Sequence, residues 1–183
     1  MAGQTTGAVA RTGNNPFLRM VAMISNISGW CAAAMIMAAV AITCQMIFVR
    51  FVLQASTIWQ TEAVIYLVIA ATLIGLAYVQ RMRGHVNVDL FPLSLPPKAR
   101  FGLAVLTLGL SILIVGLMVY YAYEHWHFAW VRGWKSETVW GVRLWIPYLA
   151  LPIGFSLLLL QLVADFVALL LRIDAPFGIE EGA

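Results

Sequence analysis

Charge is what this sequence has least of. Asp, Glu, Lys and Arg make up 10% of its 183 residues, while 62% are hydrophobic. Such a balance excludes an ordinary soluble domain and points to an integral membrane protein. The net charge of +3 does not imply nucleic acid, because the basic residues sit in short segments between apolar runs and build no solvated face. Histidine is scarce too: His85, His125 and His127 are the only three. The first falls at one end of the second apolar run, the others beyond the opposite end of the third, so no intramembrane pair can clamp a haem. His125 and His127 are two apart with no cysteine nearby, which argues against a metal site. The two cysteines, Cys31 and Cys44, lie too far apart along one helix to bridge each other and read as buried packing residues. No nucleophile and base, phosphate loop or carboxylate pair is gathered in one region, so there are no catalytic residues to assign and no enzyme is expected. Repeated halves with broken mid-span helices, the usual frame of a secondary transporter's substrate site, are missing as well.

What is present is four long apolar runs. A polar tail to about residue 18 precedes a membrane domain over 19–172, and a short tail covers 173–183. Helices are expected at about 20–52, 60–80, 97–123 and 145–171. The first exceeds what a hydrocarbon core of about 30 Å requires and should tilt or project. It is too long for the apolar core of a signal peptide. Ser25 and Gly29 form a small-xxx-small pair near its start. Pro96 and Pro97 suit the opening turn of the third helix, where a missing N–H costs nothing. Gly102, Gly109 and Gly116 recur every seven residues along that helix, and Ala63, Ala70 and Ala77 do so along the second. Small residues let helix backbones approach closely in lipid, so the two seams are candidates to pair. The connection over 124–144 is rich in tryptophan and should lie along the headgroup level, with a short surface helix near Phe128. Pro147 fits the first turn of the fourth helix, and Pro152 should kink it. Arg11, Arg19, Arg81, Arg83, Lys98, Arg100 and Arg172 fall on the side of the termini, and Arg50, Arg132, Lys135 and Arg143 on the other. Seven against four places both termini in the cytoplasm. The fold class is therefore all-α, with four transmembrane helices and short interfacial segments.

The chemistry-bearing stretch is Trp59 to Asp89. Glu62, Tyr66, Ile69, Leu73 and Gln80 share one face of the second helix, giving it a polar group at each membrane boundary. Within the fourth helix Asp165 follows Gln161 by one turn. An ionisable group there is either an ion or proton site, or a structural partner for Arg81, Arg83 or a neighbouring subunit. The structural role is the one expected.

Trp59, Glu62, Tyr66, Gly75 and the run Arg81-Met82-Arg83-Gly84-His85-Val86-Asn87-Val88-Asp89, with Pro152-x-Gly154 and Leu160-Gln161 later on, resemble the small permease subunit, DctQ type, of tripartite ATP-independent periplasmic (TRAP) transporters. Thr61 and Ile65 depart from that pattern, which often has an acidic residue before the glutamate and an arginine before the tyrosine. The resemblance implies uptake of organic acid anions, dicarboxylate-like or sugar acids, driven by a sodium gradient and not by ATP. It implies a large permease subunit of DctM type that holds substrate and Na+, and a periplasmic substrate-binding protein of DctP type. It places the chain in the bacterial inner membrane among lipid, as a scaffold that binds neither substrate nor cofactor. Other readings are a different four-span accessory subunit, such as that of the tripartite tricarboxylate transporters, and a self-sufficient homo-oligomeric transporter.

Roles follow as expectations. Glu62 should cap the first turn of its helix, where the dipole favours a carboxylate. Arg132, Lys135 and Glu137 are candidates for docking the periplasmic protein. His85 and Asp89 are four apart and meet on one face if Gly84 opens a short helix. Replacing Asp89 with alanine is expected to reduce assembly of the permease. Undiminished co-purification and uptake in that variant would count against it.

Overall fold

The computed structural model describes residues 15–82, 96–171 and 173. Its elements are α1 (Pro16–Phe51), α2 (Gln60–Arg81), α3 (Pro97–Val131), a single turn α4 (Trp145–Tyr148) and α5 (Ala150–Leu170). Among the described residues four segments are long and apolar enough to span a membrane: α1, α2, α3 and the combined α4–α5. The chain is a multi-pass, all-helical membrane protein. Prolines open α1 and α3, where the missing N–H is one the first turn leaves unpaired anyway. The division between α4 and α5 falls three residues before Pro152. Proline has no N–H to give the carbonyl one turn back and its ring crowds that carbonyl, so the turn at Trp145–Tyr148 stands apart from the helix that follows.

The bundle is built around α5. It packs along α2 on one side and α3 on the other, and α1 lies against both α2 and α5. Over an 18-residue apolar stretch of each span, 33% of α4–α5 is buried, against 11% for α1 and α2 and 6% for α3, which makes the fourth span the core and the others its cover. Three glycines set the close approaches. A Cβ on Gly154 of α5 would lie 2.7 Å from the carbonyl oxygen of Leu73 on α2. One on Gly29 of α1 would meet the ring of Tyr78 at 2.5 Å, and one on Gly75 would meet Ala32 at 3.3 Å. Backbones can approach this closely only where the side chain is absent. Ala22, Ser25, Ser28, Ala32 and Ala39 are the buried small residues of α1, and Ala71 and Ala77 those of α2.

Several expectations need correcting. Gly102, Gly109 and Gly116 meet nothing among the described residues: a Cβ at any of them has no neighbour there within 4 Å. The expected pairing with the alanine seam of α2 is replaced by α5 lying between α2 and α3, and the buried residues of α3 are Ala104, Ala122 and Ala129 instead. Nor does α3 stop near residue 123. It runs unbroken to Val131, about 52 Å at 1.5 Å per residue, so Phe128 belongs to this helix and not to a separate surface helix. The polar Glu124, His125 and His127 end the apolar run but not the hydrogen-bond ladder. Helix α1, with 36 residues, is about 54 Å long, again more than a membrane core needs. Cys31 and Cys44 are exposed on α1 and not buried.

The two sets of glycines separate under substitution. Gly154→Ala must push α5 away from the Leu73 backbone and is expected to cost about 1–3 kcal/mol, as overpacking does. Gly109→Ala, in open space, should leave stability unchanged or raise it by up to about 1 kcal/mol through helix propensity. Thermal unfolding of the two variants in the same detergent compares them; equal losses would contradict the packing.

Candidate functional site

Polar side chains gather at the two ends of the bundle, and each cluster ties separate segments together. The first begins where α3 stops. Gly133 takes φ +61°, and the N–H groups of Gly133 and Trp134 donate to Trp130 O and Ala129 O at 3.2 Å each. This double bond pattern across a left-handed glycine turns the chain sharply, with Trp134 set edge-on to Phe128 at 5.1 Å. A hairpin follows. Leu144 N donates to Trp134 O at 2.9 Å and Ser136 N to Val142 O at 2.8 Å, flanking an antiparallel bridge between Lys135 and Arg143. Gly141, φ +59°, closes the tip by donating to Thr138 O at 3.0 Å.

The hairpin folds onto the start of α2. Glu62 Oε2 accepts from Thr138 Oγ1 at 2.7 Å, and Oε1 accepts from the Ser136 hydroxyl and from Tyr66 OH, the latter at 3.0 Å. Trp59 and Trp140 meet with ring centroids 6.2 Å apart. The expected capping role of Glu62 is overturned: α2 has no side-chain cap, and the carboxylate is spent on three hydroxyls instead. Behind the hairpin an aromatic cluster joins α3 to the α4 turn. Trp126 Nε1 donates to Trp145 O at 3.1 Å, Trp130 lies 4.6 Å from Trp145, and His125 lies 4.9 Å from Tyr148.

The second cluster lies at the other end of α2, about 27 Å away along the helix. Ser25 Oγ on α1 donates to Gln161 Oε1 on α5 at 2.6 Å. Gln161 Nε2 donates to Asp165 Oδ1 at 2.8 Å, and Gln80 Nε2 on α2 donates to Asp165 Oδ2 at 3.1 Å. Ser25 and Gln161 are both buried. One chain of hydrogen bonds thus joins α1, α5 and α2. Arg81 adds a further tie from α2 to α1, donating to Ala22 O at 2.8 Å and to the Asn26 side chain. Below this layer Leu18, Val21, Ala164 and Ala168 form an apolar cluster.

The α2 face identified in the sequence is turned to the α5 side at Leu73 and Gln80 and to the hairpin at Glu62 and Tyr66, while Ile69 is about half exposed. Gly75 faces α1. Arg132 stacks over Phe128 at 4.1 Å, and Lys135 and Glu137 are exposed. Arg83, Gly84, His85 and Asp89, and with them the proposed His85–Asp89 contact, lie outside the described residues. Sequence reasoning missed Ser136, Thr138 and Ser25 as partners, since single hydroxyls carry no pattern. Among the described residues no three His, Cys, Asp or Glu side chains converge on a metal site.

The family model for the DctQ component of tripartite ATP-independent periplasmic transporters matches residues 39–172. That range holds Glu62, the hairpin, Gln161 and Asp165. The sialic acid TRAP transporter small permease protein SiaQ of Vibrio cholerae serotype O1 is 30% identical over 104 residues, which is 56% of this chain and 60% of that protein.

Ser25→Ala removes the donor to Gln161 and is expected to cost about 0.6 kcal/mol, the average for hydrogen bonds between membrane helices, and at most about 1.7 kcal/mol. Combined with Gln161→Leu it should add little to the loss from Gln161→Leu alone. Fully additive losses in thermal unfolding would show that the two side chains do not act together.

Proposed function

Because the chain belongs to the DctQ component family of TRAP transporters, we propose that it serves as a fixed membrane brace for a large permease subunit and helps seat a periplasmic substrate-binding protein. The family is one of transporter components, not of enzymes. The observation that carries the brace reading is the use made of the polar residues inside the spans. Gln161 and Asp165, the polar groups of the fourth span best suited to bind a solute or ion, are joined to each other and to Gln80 at the membrane boundary of α2. Residues that lock helices together resist the rearrangement that alternating access demands, and intramembrane polar groups are expensive unless so used.

In this reading the transported solute is an organic acid anion carried by the large subunit with Na+. A sialic acid-like sugar acid is the class favoured by the name of the Vibrio cholerae relative. In the same reading both termini lie in the cytoplasm of a bacterial inner-membrane protein, which the excess of basic residues on the side of Arg81 and Arg100 supports. The hairpin at the opposite end then faces the periplasm, where a binding protein arrives.

Proteoliposomes test this directly. Sodium-dependent uptake from an organic acid panel is measured with this chain alone, with its candidate large subunit, and with both plus the binding protein. Uptake is expected only with the full set. Uptake by this chain alone would overturn the brace and return Asp165, Gln161 and Glu62 to the role of transport site.

A further inference from the structure

The hairpin places two cations side by side, and although Glu137 follows two residues after Lys135, no carboxylate among the described residues forms an ion pair with either. Lys135 and Arg143 are directly opposite in the antiparallel bridge, and the flanking bonds, Leu144 N to Trp134 O and Ser136 N to Val142 O, make theirs the non-hydrogen-bonded kind of pair, in which side chains stand closest. Like charges in that position repel. Alternation along a strand sends neighbouring side chains to opposite faces. Trp134 and Ser136 turn inward, onto Phe128 and Glu62, so Lys135 and Arg143 turn away from the bundle, and both are exposed. Neither has an ion-pair partner among the described residues. A repulsive pair held in register serves no purpose in the stability of this chain.

We propose that Glu62 latches the hairpin to α2 so that Lys135 and Arg143 form a preset two-cation contact for an acidic patch on the periplasmic binding protein. The proposal rests on the docking role assigned above and names the device that performs it. Glu62 is a positioning residue: its carboxylate touches Ser136 and Thr138, each within three residues of Lys135, and never the partner. The latch matters because a five-residue tip left untied would sample many orientations, and ordering it on contact would weaken binding. An anionic lipid headgroup is the weaker match. Lipids adapt to a mobile basic segment, and a fixed spacing of two charges benefits a partner whose own charges are fixed.

The first arm of the test needs no partner. The full chain in nanodiscs is exposed to trypsin, and cleavage after Lys135 and Arg143 is followed by mass spectrometry. Glu62→Ala, and separately Ser136→Ala with Thr138→Ala, should speed cleavage by about five- to tenfold as the opened hairpin becomes populated. All three substitutions together should be no faster than either set. Cleavage at the wild-type rate in Glu62→Ala overturns the latch. The second arm measures binding of the labelled periplasmic protein to the assembled permease. Lys135→Glu and Arg143→Glu should each weaken it by about three- to tenfold at low salt, an effect that shrinks as salt screens the charges. Both should leave assembly with the large subunit intact. Wild-type affinity in the charge-reversed variants, or a change only in attraction to vesicles containing phosphatidylglycerol, overturns the cation contact. If the wild-type permease binds no periplasmic protein at all, it is the docking role that fails, and the trypsin result stands on its own.

Discussion

The approach of the bare α5 backbone at Gly154 to Leu73 of α2 is the contact on which the remaining geometry depends. Inside a membrane no hydrophobic drive presses helices together, because lipid is as apolar as leucine. Dispersion and hydrogen bonding must do that work, and both demand short distances. With Gly154 against Leu73 near mid-span, the two helices stay close enough for Gln80 to reach Asp165 at 3.1 Å one end further on. Gly29 brings α1 against Tyr78 in the same way, and Ser25, one turn earlier, then reaches Gln161 at 2.6 Å. The glycines and the polar ties are one device. Missing side chains provide the approach, and amide and carboxylate groups fix the register.

Much of this was visible in the residues. Hydropathy marked four spans, and the starts of α2, α3 and the last span fell close to expectation because a proline, or the tryptophan that begins an apolar run, marks each boundary. Ser25 with Gly29 gave a true packing signal. The seven-residue glycine repeat of α3 gave a false one, since periodicity states only that small residues share a face and not that another helix of the same chain lies opposite. Here that face is directed away from α5, whose contacts with α3 involve the face carrying Ala104, Ala122 and Ala129. The role of Glu62 was misjudged for a related reason. A carboxylate in a first turn has a local use as a cap, and nothing local reveals that Ser136 and Thr138, more than seventy positions away, would claim both of its oxygens.

The length of α3 was the hardest feature to read. Hydropathy ends at Tyr123, yet a helix ends only where its carbonyls find other donors. That happens at Gly133, the first residue able to adopt a left-handed turn without cost. The eight residues gained carry Trp126 and Trp130 onto the α4 turn, so they are part of the bundle's packing and not a connection lying loose on the membrane. Tryptophan in that stretch reads equally as an interfacial belt or as a packed cluster, and only the helical spacing of Trp126 and Trp130 decides between them.

The hairpin tie also answers a mechanical need of the bundle. Helix α3 is the least buried span and packs chiefly on α5, with the α4 turn against its far end. Held mainly along one neighbour, a helix of 35 residues gains from a further tie at its far end. The chain leaving α3 passes through the hairpin, is pinned to α2 at Glu62, and returns as α4 and α5. Contacts therefore close a ring from α2 through the hairpin and α3 to α5 and back to α2, so the far end of α3 is located relative to α2 by way of the hairpin. The same carboxylate that orders the hairpin completes this ring. Displacement of the hairpin by a partner would thus be felt by α2 and α3 together, which is the behaviour of a stiff frame and not of a loop attached to one.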